Sequence, residues 1–356
     1  MVSLFVEQEI QFWLDKKYYM SSYIKYILSV VFSIFLFATS DAQDPHFSQY
    51  FTSPLTLNPA NTGNFSGPSR LSSNFRNQWQ GIGKPYITGT ASFDTELFRD
   101  REYKNDKFAL GVTALYDRTS GGLLTSNYLM GSLAYHFRLD YEDKSRLSIG
   151  FQGGFSSKRL DYAKISFADQ FTSLGFDLNL PSNQTFGLGT LSYADINAGL
   201  MYNYNDEESS FYVGASTYHL TRPKESFLND NFNRIPIRYT VHAGGSLNVG
   251  LDGSIYGSGL FMSQGNVSQA VIGLAYGKQL PQSLDDIRVF AGAWYRNKDA
   301  IIPYLGYVYN NFQFGLTYDI NISQLSTSVS RYKSFEVSMI YVFLDKSEYR
   351  RFIPWY

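Results

Sequence analysis

Four histidines, one close arginine–aspartate spacing and several glycine pairs are the residues of this chain whose types could do chemistry. Imidazole carries protons and binds metals near neutral pH, so His46, His136, His219 and His242 come first. No two of them stand at i, i+4, the spacing that puts a metal pair on one helix face. Nucleophilic catalysis needs a nucleophile, a base and an orienting group that converge. His46 falls in an irregular N-terminal stretch, the other three fall on separate strand candidates, and His136 shares the polar face of its strand with Ser132 and Arg138. Gly153-Gly154 and Gly244-Gly245 lack a G-x-x-x-x-G-K-[ST] context and read as strand bends or close-packing points. There is no cysteine, so disulfides and thiolate metal sites are unavailable. Arg296 and Asp299 flank a short connection, where they pair across it or meet a partner; a solvated pair of that kind is worth well under about 1 kcal/mol. These residues predict neither an enzyme nor a cofactor.

The elements that must position them are strands. From Val289 to Ile320 one pattern is stated three times with almost no linker. In the last pass Phe312, Phe314, Leu316, Tyr318 and Ile320 alternate with Gln313, Gly315, Thr317, Asp319 and Asn321, a period of two that gives a strand two unlike faces. Asn310-Asn311, which tolerate positive φ, turn the preceding strand into it. Antiparallel strands joined so tightly make a meander. Such a meander closes either as a soluble barrel with its apolar face inward or as an outer-membrane barrel with that face toward lipid.

Length and compartment choose between them, since a soluble barrel of about eight strands uses roughly half of this chain. Lys25 precedes an apolar run from Ile27 to Ala38, followed by small residues at Ser40 and Ala42, which reads as an export signal cut between Ala42 and Gln43. Residues 1–19 stand awkwardly ahead of it and read as an upstream misassigned start; an uncleaved anchor is the competing reading. Beyond Gln43 no apolar stretch reaches the 18 residues of a membrane helix. Aromatic content of 17% suits membrane–water interfaces, and a net charge of −1 removes an electrostatic case for nucleic acid.

Taken in order, residues 43–67 are irregular and read as a possible plug, and 68–344 read as a transmembrane β-barrel. Strand candidates fall at 69–80, 85–97, 106–118, 129–139, 147–155, 193–205, 209–221, 236–249, 253–264, 267–278, 286–297, 301–310, 312–321 and 333–344. That makes about fourteen, with 12 or 16 left open by boundary slippage. The fold class is therefore all-β, a transmembrane antiparallel meander. The turns DYEDK, NDEES, GLDG and NN follow even strands, while the long segments near 158–192 and 222–235 follow odd ones. Outer-membrane barrels keep short turns in the periplasm, so both termini, including a tail at 345–356, are expected there. The inward positions read as mostly Gly, Ser, Ala, Thr and Asn. The four phenylalanines of 167–186 either fold into the barrel mouth or bind a partner.

QDPHFSQYFTSPLTLNPANTG at 43–63, FRNQW at 75–79, YHLTRPKESF at 218–227, RYTVHAGG at 238–245, and GAWYRNKDAIIPYLGY with LTYDINISQL further on resemble the PorP/SprF family of Bacteroidota outer-membrane proteins. The likeness covers nearly the whole chain after the signal. It implies an outer-membrane barrel of the type IX secretion and gliding apparatus, partnered by lipid, by machinery proteins and by a secreted surface protein such as an adhesin. It also marks, without assigning a role, Asp44, Pro45, His46, Phe47, Gln49, Asn58, Pro59, His219, Arg296, Asp299 and Asp319. A diffusion channel for small solutes is the alternative that the fold alone allows.

Cleavage after Ala42 should leave Gln43 as the first residue of the mature protein; N-terminal sequencing of the membrane fraction checks this, and a start at Met1 or Met20 counts against it.

Overall fold

The structure is a computed structural model. It describes residues 44–80, 84–98, 106–119, 121–177, 179–183, 189–228, 232–280, 286–322 and 333–343. The expected signal at 1–42 and the tail at 345–356 lie outside them.

Alternating sequence becomes strand throughout. The strands are β1 (Ser69–Gln80), β2 (Tyr86–Leu97), β3 (Lys107–Thr119), β4 (Leu124–Arg138) and β5 (Ser145–Leu160). A small hairpin of β6 (Phe171–Thr172) and β7 (Gly175–Phe176) follows. Then come β8 (Thr190–Asn205), β9 (Ser209–Tyr218), β10 (Arg238–Val249), β11 (Gly253–Gln264) and β12 (Val267–Gln279). The last four are β13 (Ile287–Arg296), β14 (Ala300–Tyr309), β15 (Phe312–Asn321) and β16 (Lys333–Phe343). All but β6 and β7 form one closed antiparallel barrel of 14 strands, sealed where Ser69 of β1 stands opposite Phe343 of β16 and Asn77 opposite Phe335. Several strands are longer than their sequence pattern suggests: β4 begins at Leu124 and β5 runs to Leu160, because their ends pair with each other from Leu124↔Leu160 onward.

Turn chemistry fits the geometry. Asn310 has φ of +50°, as its two-residue turn requires, and Gly265 does the same between β11 and β12 with φ of +57°. Pro303 has no N–H, and the β14–β15 pairing skips Ile302 and Pro303 before resuming at Tyr304↔Thr317.

The outer wall carries Leu, Ile, Val, Phe and Tyr side chains exposed on every barrel strand, among them Leu133, Phe151, Ile272, Leu305 and Leu316. An apolar surface that encircles the molecule is a lipid-facing surface. The inner wall is more charged than its sequence pattern suggests. Arg70, Arg76, Asp94, Asp195, Arg238, Arg296, Asp319 and Glu336 all point inward and are buried.

What buries them is residues 44–63, which lie inside the barrel as three single turns: Tyr50–Thr52, Pro54–Leu57 and Pro59–Asn61. Pro54 and Pro59 open the second and third turns, where the missing N–H is not needed. The direction of this segment differs from the expected one. Its last residues sit beside Asp94 and His136, near the barrel end that holds the short turns and the start of β1. Its first, Asp44, sits at the opposite end beside Gln264 and His219, where the long connections 161–189 and 219–237 lie. The segment doubles back through the whole lumen, so the two ends of the described chain do not share one side. Of the apolar stretch at 167–183, Phe171 and Phe176 meet edge to face with ring centroids 4.9 Å apart and Leu174 is 99% exposed, so this tip does not fill the mouth.

Leu316→Arg would present a charge to hydrocarbon at a cost of about 2–4 kcal/mol near the midplane, and should deplete the heat-modifiable folded band in detergent gels. Thr317→Arg points inward, where Thr317 accepts a hydrogen bond from Gln49, and should keep that band while loosening the luminal segment. Equal loss of the folded band in both variants would contradict the register.

Candidate functional site: the filled lumen and its mouth

Four sets of contacts hold the luminal segment, in order from the short-turn end to the long-loop end. At the short-turn end Arg70 and Asp94, opposite each other on β1 and β2, form a buried ion pair at 2.8 Å. Asp94 accepts the Gly63 amide at 2.8 Å, and Arg70 donates to the Asn61 carbonyl at 3.0 Å. Gly63 takes φ of +72° to turn out of the lumen. His136 bridges the Thr62 carbonyl at 2.7 Å and the Ser148 hydroxyl at 2.6 Å.

In the middle, glycines on adjacent strands make a seat. A Cβ on Gly150 of β5 would stand 2.3 Å from the carbonyl carbon of Pro59, and one on Gly199 of β8 would stand 1.9 Å from Asn58 Oδ1. The backbone of the segment approaches the wall where the wall has no side chains. Asn58 caps the third turn by accepting from Ala60, and its Nδ2 lies 3.1 Å from His242 Nε2. Across the lumen Phe51 packs on Trp294 and Tyr304 at 5.0 and 5.6 Å, and Tyr50 donates to Ser258 at 2.7 Å.

Above this lies a buried charge cluster. Glu336 of β16 accepts the backbone amides of Ser48 and Gln49 at 2.6 and 2.8 Å. Asp319 of β15 takes Arg296 at 2.6 Å and Arg76 at 3.2 Å, while Arg76 Nε lies 3.2 Å from Glu336. Ser48 donates to Asp319 and accepts from Arg296 at 2.9 Å. A hydroxyl held on both sides is a structural link and not a poised nucleophile. Arg296 therefore differs from the solvated partner expected of it: it is buried, and Asp299, itself 44% exposed, is its outer neighbour at 2.6 Å.

At the mouth Asp44 lies 2.6 Å from His219 Nε2 and 3.2 Å from Arg238, and Asp195 lies 2.7 Å from His219 Nδ1. His219 stands one residue past β9 with φ of +60°. Burial alone would lower its pKa, but the carboxylates of Asp195 and Asp44, one beside each ring nitrogen, raise it to about 9. The two carboxylates favour the imidazolium form, whose Nε2 donates to Asp44. Asp44 is desolvated, yet His219, Arg238 and Lys158 hold its carboxyl well below the usual range. Among the described residues no three His, Asp or Glu side chains are placed to hold a metal ion.

The family model for the type IX secretion system membrane protein PorP/SprF matches residues 39–341. The chain belongs to the PorP/SprF family. With the closed barrel and its apolar outer wall, this makes it an outer-membrane component of a type IX secretion system. No curated protein matches the chain. Similar solved structures include the Ralstonia pickettii toluene transporter TbuX, at 13% identity over 82% of this chain and 92% of that one with a TM-score of 0.47. The Pseudomonas putida toluene transporter TodX is 9% identical over 85% and 95%, with a TM-score of 0.49. A Pseudomonas aeruginosa FadL homologue is 12% identical over 82% and 94%, with a TM-score of 0.42. What those proteins carry says nothing of this one.

Of the residues marked by the family resemblance, the structure brings Asp44 to His219, and Gln49 to the same cluster as Arg296, Asp299 and Asp319. Asn58 and Pro59 occupy the glycine seat, Phe47 is buried, and the His46 carbonyl accepts from Arg76 at 2.7 Å. Pro45 and His46 line a small cavity with Arg238 and Tyr50. Sequence reasoning missed the wall partners Arg70, Arg76, Asp94, Asp195, Arg238 and Glu336. The available signal was parity: Glu336 stands between Phe335 and Val337 in phase with Ser334 and Ser338, so its carboxylate belongs to the inner face.

Asp319→Ala leaves two buried guanidiniums short of a partner and should lower unfolding free energy by about 3–5 kcal/mol. Asp299→Ala, at the exposed edge of the cluster, should cost within about 1 kcal/mol. Urea titration of the two variants in lipid vesicles compares them, and equal losses would show that the buried cluster is not what holds the segment.

Proposed function

We propose that this barrel supports export or cell-surface attachment of a partner protein such as an adhesin, and that it does so with a sealed lumen, holding its partner and passing no solutes. The observation that carries the reading is the luminal segment, which is bonded to the wall at both ends of the barrel and at the middle between them. A barrel of about fourteen strands is wide enough to leak unless filled. Here the filling is the chain's own residues 44–63, and these include the stretch most specific to the family resemblance. Machinery proteins and lipid are its surroundings, and the exported partner is the element that the reading adds. The export signal at 20–42, cut after Ala42, delivers the chain across the inner membrane, and the short turns face the periplasm.

Reconstituted protein should show little steady conductance in planar bilayers. Deleting residues 46–63 should raise conductance and abolish surface display of the partner. Gly150→Val, whose side chain would occupy the place of the Pro59 backbone, should raise conductance with a folded barrel retained. Large open-channel currents from the intact protein, with no export or adhesion defect in a null strain, would make it a diffusion channel instead.

A further inference from the structure

The luminal segment has a direction, and the direction has a biological side. Asp44 sits among residues that all belong to the long-loop end. Its amide donates to Gln264 at 2.9 Å, and Gln264 is the last residue of β11. Arg238 is the first residue of β10, and His219 follows the last residue of β9. The barrel has both its strand termini at the other end: β1 starts there and β16 finishes there. We propose that the amino-terminal end of the mature chain is presented at the outer face of the membrane, latched at the barrel mouth by Asp44 to Arg238 and His219. This rests on the proposed orientation, with long connections outside, and goes beyond the sealed lumen.

The latch is physically separate from the deeper anchor. Asp44 meets His219 just past β9, Arg238 of β10 and Gln264 of β11, whereas Ser48 and Gln49 meet β15 and β16. Pro45, His46 and Phe47 span the two. Arg238 also lies over the Tyr218 ring at 3.9 Å, which fixes the guanidinium while its Nη1 stands 3.2 Å from Asp44. Opening the latch thus frees the leading residues while Glu336 still holds the Ser48 and Gln49 amides. The mouth presents a releasable end above a fixed seal, and whatever acts on the barrel from outside the cell meets that end before it meets the seal.

The absence of cysteine makes the test direct. Single cysteines are placed at Gln43, the residue before Asp44 in the sequence, at Leu174 in the long-loop hairpin, and at Leu251 in the fully exposed turn at the other end. Intact cells are treated with a maleimide that does not cross the outer membrane. Gln43→Cys and Leu174→Cys should react, and Leu251→Cys should react only after permeabilisation. Asp44→Asn in the Pro45→Cys background should raise the labelling rate several-fold. Reaction of Gln43→Cys only after permeabilisation, in step with Leu251→Cys, overturns the proposal and leaves a low conductance, and with it the sealed lumen, standing. Reaction of Leu251→Cys in place of Leu174→Cys on intact cells overturns the orientation and this proposal together. An unchanged labelling rate in Asp44→Asn shows that Asp44 is not the latch.

Discussion

The antiparallel pairing of β1 with β16 is the contact on which the rest of the molecule depends. A sheet in lipid cannot leave an edge, because each unpaired backbone amide or carbonyl in hydrocarbon costs several kcal/mol. Closing the edge fixes the strand number, and the strand number fixes an interior too wide to be filled by wall side chains alone. The segment ahead of β1 occupies that interior. Its own backbone polar groups then need partners, and the wall supplies them from Asp94, His136, Ser216, Arg76 and Glu336. The inward charges follow from a buried irregular segment: the first four N–H groups or last carbonyls of a single turn have no helix to satisfy them.

Polar burial of this kind specifies position more than it adds stability. Replacing a complete buried ion pair by well-packed apolar groups is often neutral or stabilising, whereas removing one partner is costly. The apolar contacts of Phe51 with Trp294 and Tyr304 would hold a segment loosely in several registers. Glu336 on two consecutive amides and Asn58 against Gly199 allow one. The Arg70–Asp94 pair, the seat and the cluster set the same register at three heights in the lumen, which is the constraint a seal requires.

Much of this was legible in the sequence and some was not, for reasons that differ. Period-two alternation and turn residues such as Asn310 located the fourteen strands, because a lipid-facing strand repeats its pattern through its whole length. Strand ends were missed where polar residues continue the pairing past the hydrocarbon, as from Leu124 to Tyr128. The family spelling singled out Asp44, Gln49, Asn58 and His219 without a role. Their roles depend on pairs such as Asp44 with His219, 175 residues away, and no periodicity reports that. The inner wall was read as small and neutral because glycine and serine outnumber charge there. Arg296 was read as solvated because its spacing to Asp299 is that of a turn, while its main partner Asp319 lies on another strand.

Glu336 belongs to the last strand, yet it binds residues that precede the first, 288 positions earlier in the chain. Contacts of such separation form late and slowly. During assembly, then, the strand that completes the cylinder is also the strand that recognises its contents. With the segment absent or misplaced, β16 would close over a buried carboxylate with no amides to accept and an arginine pair short of its geometry. The final joint is in this sense a checkpoint, at which an empty cylinder is the less favourable product.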